Sequence, residues 1–187
     1  GGHLTEEGRQ MLGRIRAESQ RGGRLIEDLL RLSRLSKINL HVSRIEVSSL
    51  AARVAERIQS LEPERRVDWV IEPGLSADAD GRLIEEVLEE LFGNAWKFTR
   101  RKEDVRIEFG ATDKSGKRAF FVRDNGAGFD NAHAGQLFGA FHRVHTDREF
   151  PGLGIGLAVV AKIVHRHGGT TWAEGELCKS ATIYFTL

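Results

Sequence analysis

Residues 5 to 36 place the strongest constraint on the fold. Met11, Leu12, Ile15, Leu25, Ile26, Leu29 and Leu32 recur at spacings of three and four with Arg and Glu between them, the pattern of one amphipathic helix. Thr5 is placed to act as its N-cap, and Glu6 and Glu7 suit the positive end of the helix dipole. A helix of about 30 residues spans roughly 45 Å and carries a stripe too wide to be left in water. Its apolar face needs a partner. Either it folds back on the rest of the chain or it forms half of an interchain bundle.

Beyond Leu40 the period changes. His41 to Val47 alternates like a strand, and Ser48-Ser49 opens a helix over Leu50 to Leu61. Val67 to Ile71 is a second strand. Asp80 precedes a helix from about Arg82 to Phe98 whose buried side is Ile84, Val87, Leu88, Leu91, Ala95 and Phe98. Val105 to Ala111 and Arg118 to Arg123 alternate as paired strands across a Lys114-Ser115-Gly116 turn. A poorly periodic stretch, Gly126 to Gly154, leads into a helix from Gly156 to His167 that stops at Gly168-Gly169. Strands at Thr170 to Ala173 and Ala181 to Leu187 close the chain. The expected architecture is α+β, a mixed sheet covered on one face by helices and preceded by the long helix.

Composition narrows the function. Acidic and basic residues nearly cancel, 27 against 28, so the electrostatic footprint of a general nucleic-acid binder is missing. One cysteine, Cys178, excludes an intramolecular disulfide and a multi-cysteine zinc site, and with no thiol-activating neighbour it reads as inert. No run of 18 apolar residues is present, so no membrane span is expected. Glycine is in excess, with 21 residues against only three prolines. Nine of those 21 fall between Gly126 and Gly169, where the backbone rather than side chains is expected to do the work.

Three elements carry chemistry. On the helix ending at Phe98, Glu86, Glu90, Asn94 and Lys97 share one face. Such a face is commonly only solvated, but a mid-helix Asn between a carboxylate and an ammonium suits a polyphosphate and its divalent cation. Asp124-Asn125-Gly126-Ala127-Gly128-Phe129 follows a strand, and this reads equally as an ordinary turn or as a base site. An ionised Asp accepts hydrogen bonds and so matches the amino group of adenine rather than guanine. Gly152-Leu153-Gly154-Ile155-Gly156-Leu157 opens a helix with unobstructed N–H groups, an anion site suited to triphosphate. Neither the dinucleotide fingerprint nor the P-loop fits this spacing. Phe138 and Phe141 stand in the polar loop between the second and third elements, where they suit lid anchors.

In combination, Glu90-Leu91-Phe92-Gly93-Asn94-Ala95-Trp96-Lys97-Phe98-Thr99, Asp124 to Phe129, Leu137-Phe138-Gly139-Ala140-Phe141 and Gly152 to Leu157 resemble the N box, first glycine box, F box and second glycine box of sensor histidine kinases of the GHKL ATPase superfamily. The run from Phe141 to His167-Gly168-Gly169 is most similar to kinases of the bacterial phytochrome type. Leu25-Ile26-Glu27-Asp28-Leu29-Leu30 and Leu32-Ser33-Arg34 resemble the second helix of the dimerisation and histidine-phosphotransfer bundle. The resemblance implies two domains, residues 1–38 as that helix and 39–187 as the catalytic ATP-binding domain. It implies that Asn94, with Glu90, holds Mg²⁺, that Lys97 meets phosphate, and that Asp124 reads adenine. The implied ATP contacts further include Gly126, Gly128, Phe129, Phe141, Arg143, Gly152, Leu153, Gly154, Ile155, Gly156 and Leu157, with residues 130–151 as a mobile lid. The implied reaction passes the γ-phosphoryl group of ATP to a histidine and onward to an aspartate of a response-regulator receiver domain, by positioning and charge neutralisation. The implied partners are a second copy through the bundle helix, the receiver domain and an upstream sensor domain. The implied location is cytoplasmic.

The chain departs from the pattern in three places. No histidine has the context of the phosphoacceptor, His3 being in the loop before the second helix, so this sequence is expected to bind ATP without phosphorylating itself. Glu90 stands where these kinases commonly carry Asn, and a Glu four residues before the Asn is what hydrolytic members of the superfamily use to activate water. The closing glycine-rich box is reduced to Lys179-Ser180-Ala181-Thr182, with Thr182 carried over as its nucleotide contact. A hydrolytic ATPase and a non-catalytic ATP-binding or dimerisation module are therefore the alternative readings. His142, His145, His165 and His167 lack the companion ligands of a metal site, and Trp69, Trp96 and Trp172 read as core or groove residues.

Overall fold

A computed structural model describes residues 5–114, 116–142 and 154–187. The chain divides into two compact units, Gly1–Lys37 and Ile38–Leu187. In the first, helix α1 (Glu6–Leu35) is capped by Thr5, whose hydroxyl accepts the Gly8 N–H at 3.2 Å. Met11, Leu12, Ile15, Ile26, Leu29 and Leu30 of its stripe are exposed.

The second unit runs β1 (Ser43–Glu46), α2 (Val47–Leu61), β2 (Val67–Ile71), β3 (Ser76–Ala79), α3 (Gly81–Phe98), β4 (Val105–Lys114), β5 (Lys117–Asp124), a 3₁₀ helix (Asn131–Gln136), α4 (Gly156–Arg166), β6 (Thr171–Glu176) and β7 (Ser180–Phe185). Five strands form one sheet in the order β2-β4-β5-β7-β6, with β2 parallel to β4 and every other pair antiparallel. The helices bury Val47, Val54, Ile84, Val87, Leu88, Val159, Val160 and Ile163 beneath it. An aromatic series crosses this core: Trp69 against Phe92, Phe92 against Phe109, Phe109 stacked on Phe120, and Phe120 on Phe185.

Local differences from the sequence expectations have identifiable causes. The strand β3 is too short and too acidic to announce itself, yet it pairs antiparallel with β1, Ile45 opposite Ala77, in a separate two-stranded sheet. Helix α2 begins at Val47, and Ser48 is not its cap. The Ser48 hydroxyl instead donates to the Glu72 carbonyl (2.6 Å) and accepts the Leu75 N–H (2.9 Å), tying α2 to the turn before β3. Phe92 is fully buried whereas Phe98, placed in the core from its spacing, is half-buried at the helix end. Gly116 adopts φ +75° in the β4–β5 turn, the left-handed conformation that favours glycine; Ser115 lies outside the described residues.

Where α3 begins, Asp80 is buried and receives the N–H groups of His41 (3.0 Å) and Arg82 (3.1 Å) together with the Arg82 guanidinium. Burial pushes its carboxyl up, but these hydrogen bonds prevail and hold it at about 2. The Asp80 N–H donates to His167 Nε2 at 3.0 Å, and His167 Nδ1 lies 2.9 Å from the Ile163 carbonyl. Nε2 of this imidazole thus fastens the end of α4 to the start of α3, while Nδ1 is engaged by α4's own Ile163 carbonyl.

Candidate nucleotide site

Asp124 ends β5, opposite Ile107 of β4 and Ala181 of β7. Along β5 the side chains alternate, so Phe120, Val122 and Asp124 are buried on the helix side while Arg123 is exposed on the other. Oδ1 of Asp124 accepts the Gly126 N–H at 2.9 Å. Burial nevertheless dominates that bond and raises the carboxyl to about 7. A carboxylate held this way lacks solvation and gains from any donor brought to it.

The loop that follows is gripped on both sides. Ala127 donates its N–H to the Phe98 carbonyl at the end of α3 (3.1 Å), and its own carbonyl accepts the Cys178 N–H from the β6–β7 turn (2.6 Å). A side chain at Gly126 would place Cβ 2.6 Å from the Phe98 carbonyl oxygen and 2.7 Å from Asp124 Oδ1. At Gly128, φ is +60° and a Cβ would lie 2.0 Å from the Glu176 carbonyl oxygen. Only bare backbone fits beside the carboxylate. Phe129 is buried with Leu137 and Ala173, and Leu157 packs against the same cluster. Its ring lies against Gly175, where a Cβ would come within 2.6 Å. The phenyl group therefore anchors the loop to β6.

Earlier on α3, Glu90 and Asn94 meet the beginning of α4. A Cβ at Gly156 would be 2.3 Å from Glu90 Oε2 and 3.9 Å from Asn94 Nδ2, so the glycine lets the helix start approach both groups. Helix α4 starts after Ile155, whose side chain makes no cap hydrogen bond, and the N–H groups of a helix start suit an anion. A carboxylate and a carboxamide one helical turn apart next to such a terminus are residue types that suit a divalent cation carried by phosphate oxygens. Lys97 is half-buried, its ammonium 4.3 Å from the centre of the Phe98 ring.

The first part of the expected lid is ordered secondary structure: Asn131–Gln136 forms the 3₁₀ helix, started by Asp130 and tied to β6 by Asn131 Oδ1, which accepts the Gly175 N–H at 3.0 Å. Phe138 packs on the Phe129 cluster, whereas Phe141 is half exposed with φ 67°. The Phe141 N–H donates to the Gly154 carbonyl at 2.9 Å, and Gly154 has φ +73°, so the two residues meet at one point. Ile155 is buried. Arg143, Gly152 and Leu153 lie outside the described residues.

Thr182 is not brought to the site. It pairs with Arg123, accepts its Nε–H at 3.2 Å, and so lies on the sheet face opposite Asp124. The residue beside Asp124 on β7 is Ala181, and because side chains alternate along a strand the next residue, Thr182, falls on the other face. The Phe98 carbonyl is a second missed contributor, and no side-chain pattern reports a backbone acceptor.

Among known proteins, the family described as histidine kinase-, DNA gyrase B-, and HSP90-like ATPase matches residues 79–187. Cyanobacterial phytochrome A of Nostoc is 31% identical over 163 residues, 87% of this chain and 21% of that protein. The sensor histidine kinase WalK of Bacillus subtilis is 28% identical over 177 residues, 91% of this chain and 29% of its own length. The chain thus spans only a fifth to a third of these relatives. The crystal structure of full-length ShkA in complex with AMPPNP superposes with a TM-score of 0.72 at 29% identity, covering 98% of this chain and 39% of that one.

Proposed function

The chain belongs to the histidine kinase-, DNA gyrase B-, and HSP90-like ATPase family, and from that premise we propose that it is the ATP-binding catalytic part of a sensor histidine kinase. In this reading residues 39–187 bind ATP, and residues 1–38 are the second helix of a dimerising bundle whose first helix carries the acceptor histidine. One observation supports it: α3 meets both glycine segments, its Phe98 carbonyl holding Ala127 in the loop after Asp124 while its Glu90 and Asn94 meet Gly156 at the start of α4.

Each residue has a distinct task. Asp124 accepts the amino group of adenine, which adds a donor to the Gly126 N–H its buried carboxylate already receives. Gly126 and Gly128 keep the floor open to the base. The N–H groups at the start of α4 hold the phosphates, with Lys97 as a counter-charge. Glu90 and Asn94 would hold Mg²⁺, which supplies charge neutralisation on the phosphate oxygens. The γ-phosphoryl group then passes to a histidine on a bundle outside this sequence and from there to a receiver-domain aspartate, with an upstream sensor domain setting the rate. The exposed stripe of α1 supports pairing with a second copy.

Mixing the chain with a separately supplied acceptor bundle and Mg²⁺-ATP should yield acid-labile phosphate on the bundle. Nucleotide binding without any such product would refute the kinase reading. A hydrolytic reading is favoured by Glu90 alone, whose carboxylate adjoins the start of α4. Release of inorganic phosphate that disappears in Glu90→Gln with retained ATP affinity would establish it.

A further inference from the structure

We propose that Arg65 is a positioning residue for nucleotide binding, clamping the last turn of α3 that carries Asn94 and Lys97; the proposal rests on the ATP reading above. Arg65 lies in the loop between α2 and β2, away from every motif. Its guanidinium stacks 4.1 Å from the centre of the Trp96 ring, and its Nη2 donates to Thr99 Oγ1 at 2.9 Å. Thr99 is fully buried, and its hydroxyl donates to the Ala95 carbonyl at 2.7 Å. Arg65 therefore grips the α3 terminus through both a ring and a hydroxyl.

The grip is itself braced. Trp96 stacks on Trp69 (6.2 Å between centroids, 15° between planes), and Trp69 Nε1 donates to Gln59 Oε1 at 3.2 Å. Gln59 Nε2 donates to the Arg65 carbonyl at 2.7 Å. Arg65, Trp96, Trp69 and Gln59 thus form a closed ring of contacts. On its other side the same helix turn offers the Phe98 carbonyl to Ala127, in the loop after Asp124. Displacing this turn would disturb Asn94, Lys97 and the adenine loop together.

Arg65 is costly where it sits. Its Nη1 is buried without a hydrogen-bond partner, the sole such side-chain nitrogen or oxygen among the described residues, and burial lowers its pKa. A buried donor lacking an acceptor destabilises a fold. Methionine would lie along the Trp96 ring at similar length without that donor. If the site served packing alone, Arg65→Met would improve it.

Thermal melting and ATP titration of the whole chain separate these roles. Arg65→Met is expected to melt no lower than the unsubstituted chain yet bind Mg²⁺-ATP roughly tenfold more weakly, since a small misplacement of binding groups is expensive. Thr99→Val, which removes the hydroxyl that Arg65 grips, should reproduce the loss. The double variant should add nothing to either single one. Unchanged ATP affinity in Arg65→Met, or additive losses in the double variant, overturns the proposal. Should Arg65→Met fail to fold, unchanged affinity in Thr99→Val overturns it equally. Absence of ATP binding by the unsubstituted chain would refute both the nucleotide reading and this proposal. Binding retained there but unaltered in the variants refutes the positioning role alone.

Discussion

Replacing Asp124 with asparagine should make the nucleotide-free chain more stable at pH 8 and, at the same time, a poorer ligand for ATP. Burial raises this carboxyl from 3.8 to about 7. Between those values the native state holds a proton that the unfolded state has released, so stability falls as pH rises through the interval. At 1.36 kcal/mol per pH unit the loss approaches about 4 kcal/mol above pH 7. Asparagine keeps the shape and the Gly126 hydrogen bond but cannot ionise. Asp124→Asn should therefore melt roughly ten degrees higher than the unsubstituted chain at pH 8, at about 2–4 °C per kcal/mol, with the gap closing towards pH 5. ATP binding should weaken roughly 10- to 100-fold, the worth of a hydrogen bond to a charged acceptor. Scanning calorimetry from pH 5 to 8 with and without ATP tests both halves. Identical melting profiles for the two proteins across that range would refute the burial argument, and equal ATP affinities would refute the adenine assignment.

Other outcomes follow from the same geometry. Gly128→Ala should cost at least about 2 kcal/mol in denaturant unfolding, because φ +60° is strained for alanine and its Cβ would meet the Glu176 carbonyl. Thr182→Val should leave the ATP dissociation constant within about twofold, while Ala181→Val, adding bulk beside Asp124, should raise it by roughly tenfold in calorimetric titration. On the proposed pairing through α1, the unsubstituted chain should sediment as a dimer and Leu12→Glu combined with Ile15→Glu as a monomer, without altered ATP affinity, since both side chains are exposed.

Much of this molecule is legible residue by residue. Helical spacing located α1, α3 and α4 because their apolar stripes repeat over several turns, and the glycine patterns marked Gly126, Gly128 and Gly156, where a Cβ would collide with its surroundings. Short elements were harder. The strand Ser76–Ala79 exists because β1 lies beside it, and Ser48 caps nothing because Glu72 and Leu75 claim its hydroxyl.

What the sequence determined by itself is therefore whatever local periodicity and backbone permissiveness encode: the longer elements, their order, and the motifs that identify the family. The tertiary structure alone decided which face of β7 meets Asp124, that Phe129 is an anchor buried against Gly175, and that Arg65 reaches the end of α3 from a distant loop. These depend on strand register and on contacts between segments 30 or more residues apart. A one-residue slip reverses a strand's faces, and a cation finds its aromatic partner only once the chain has packed.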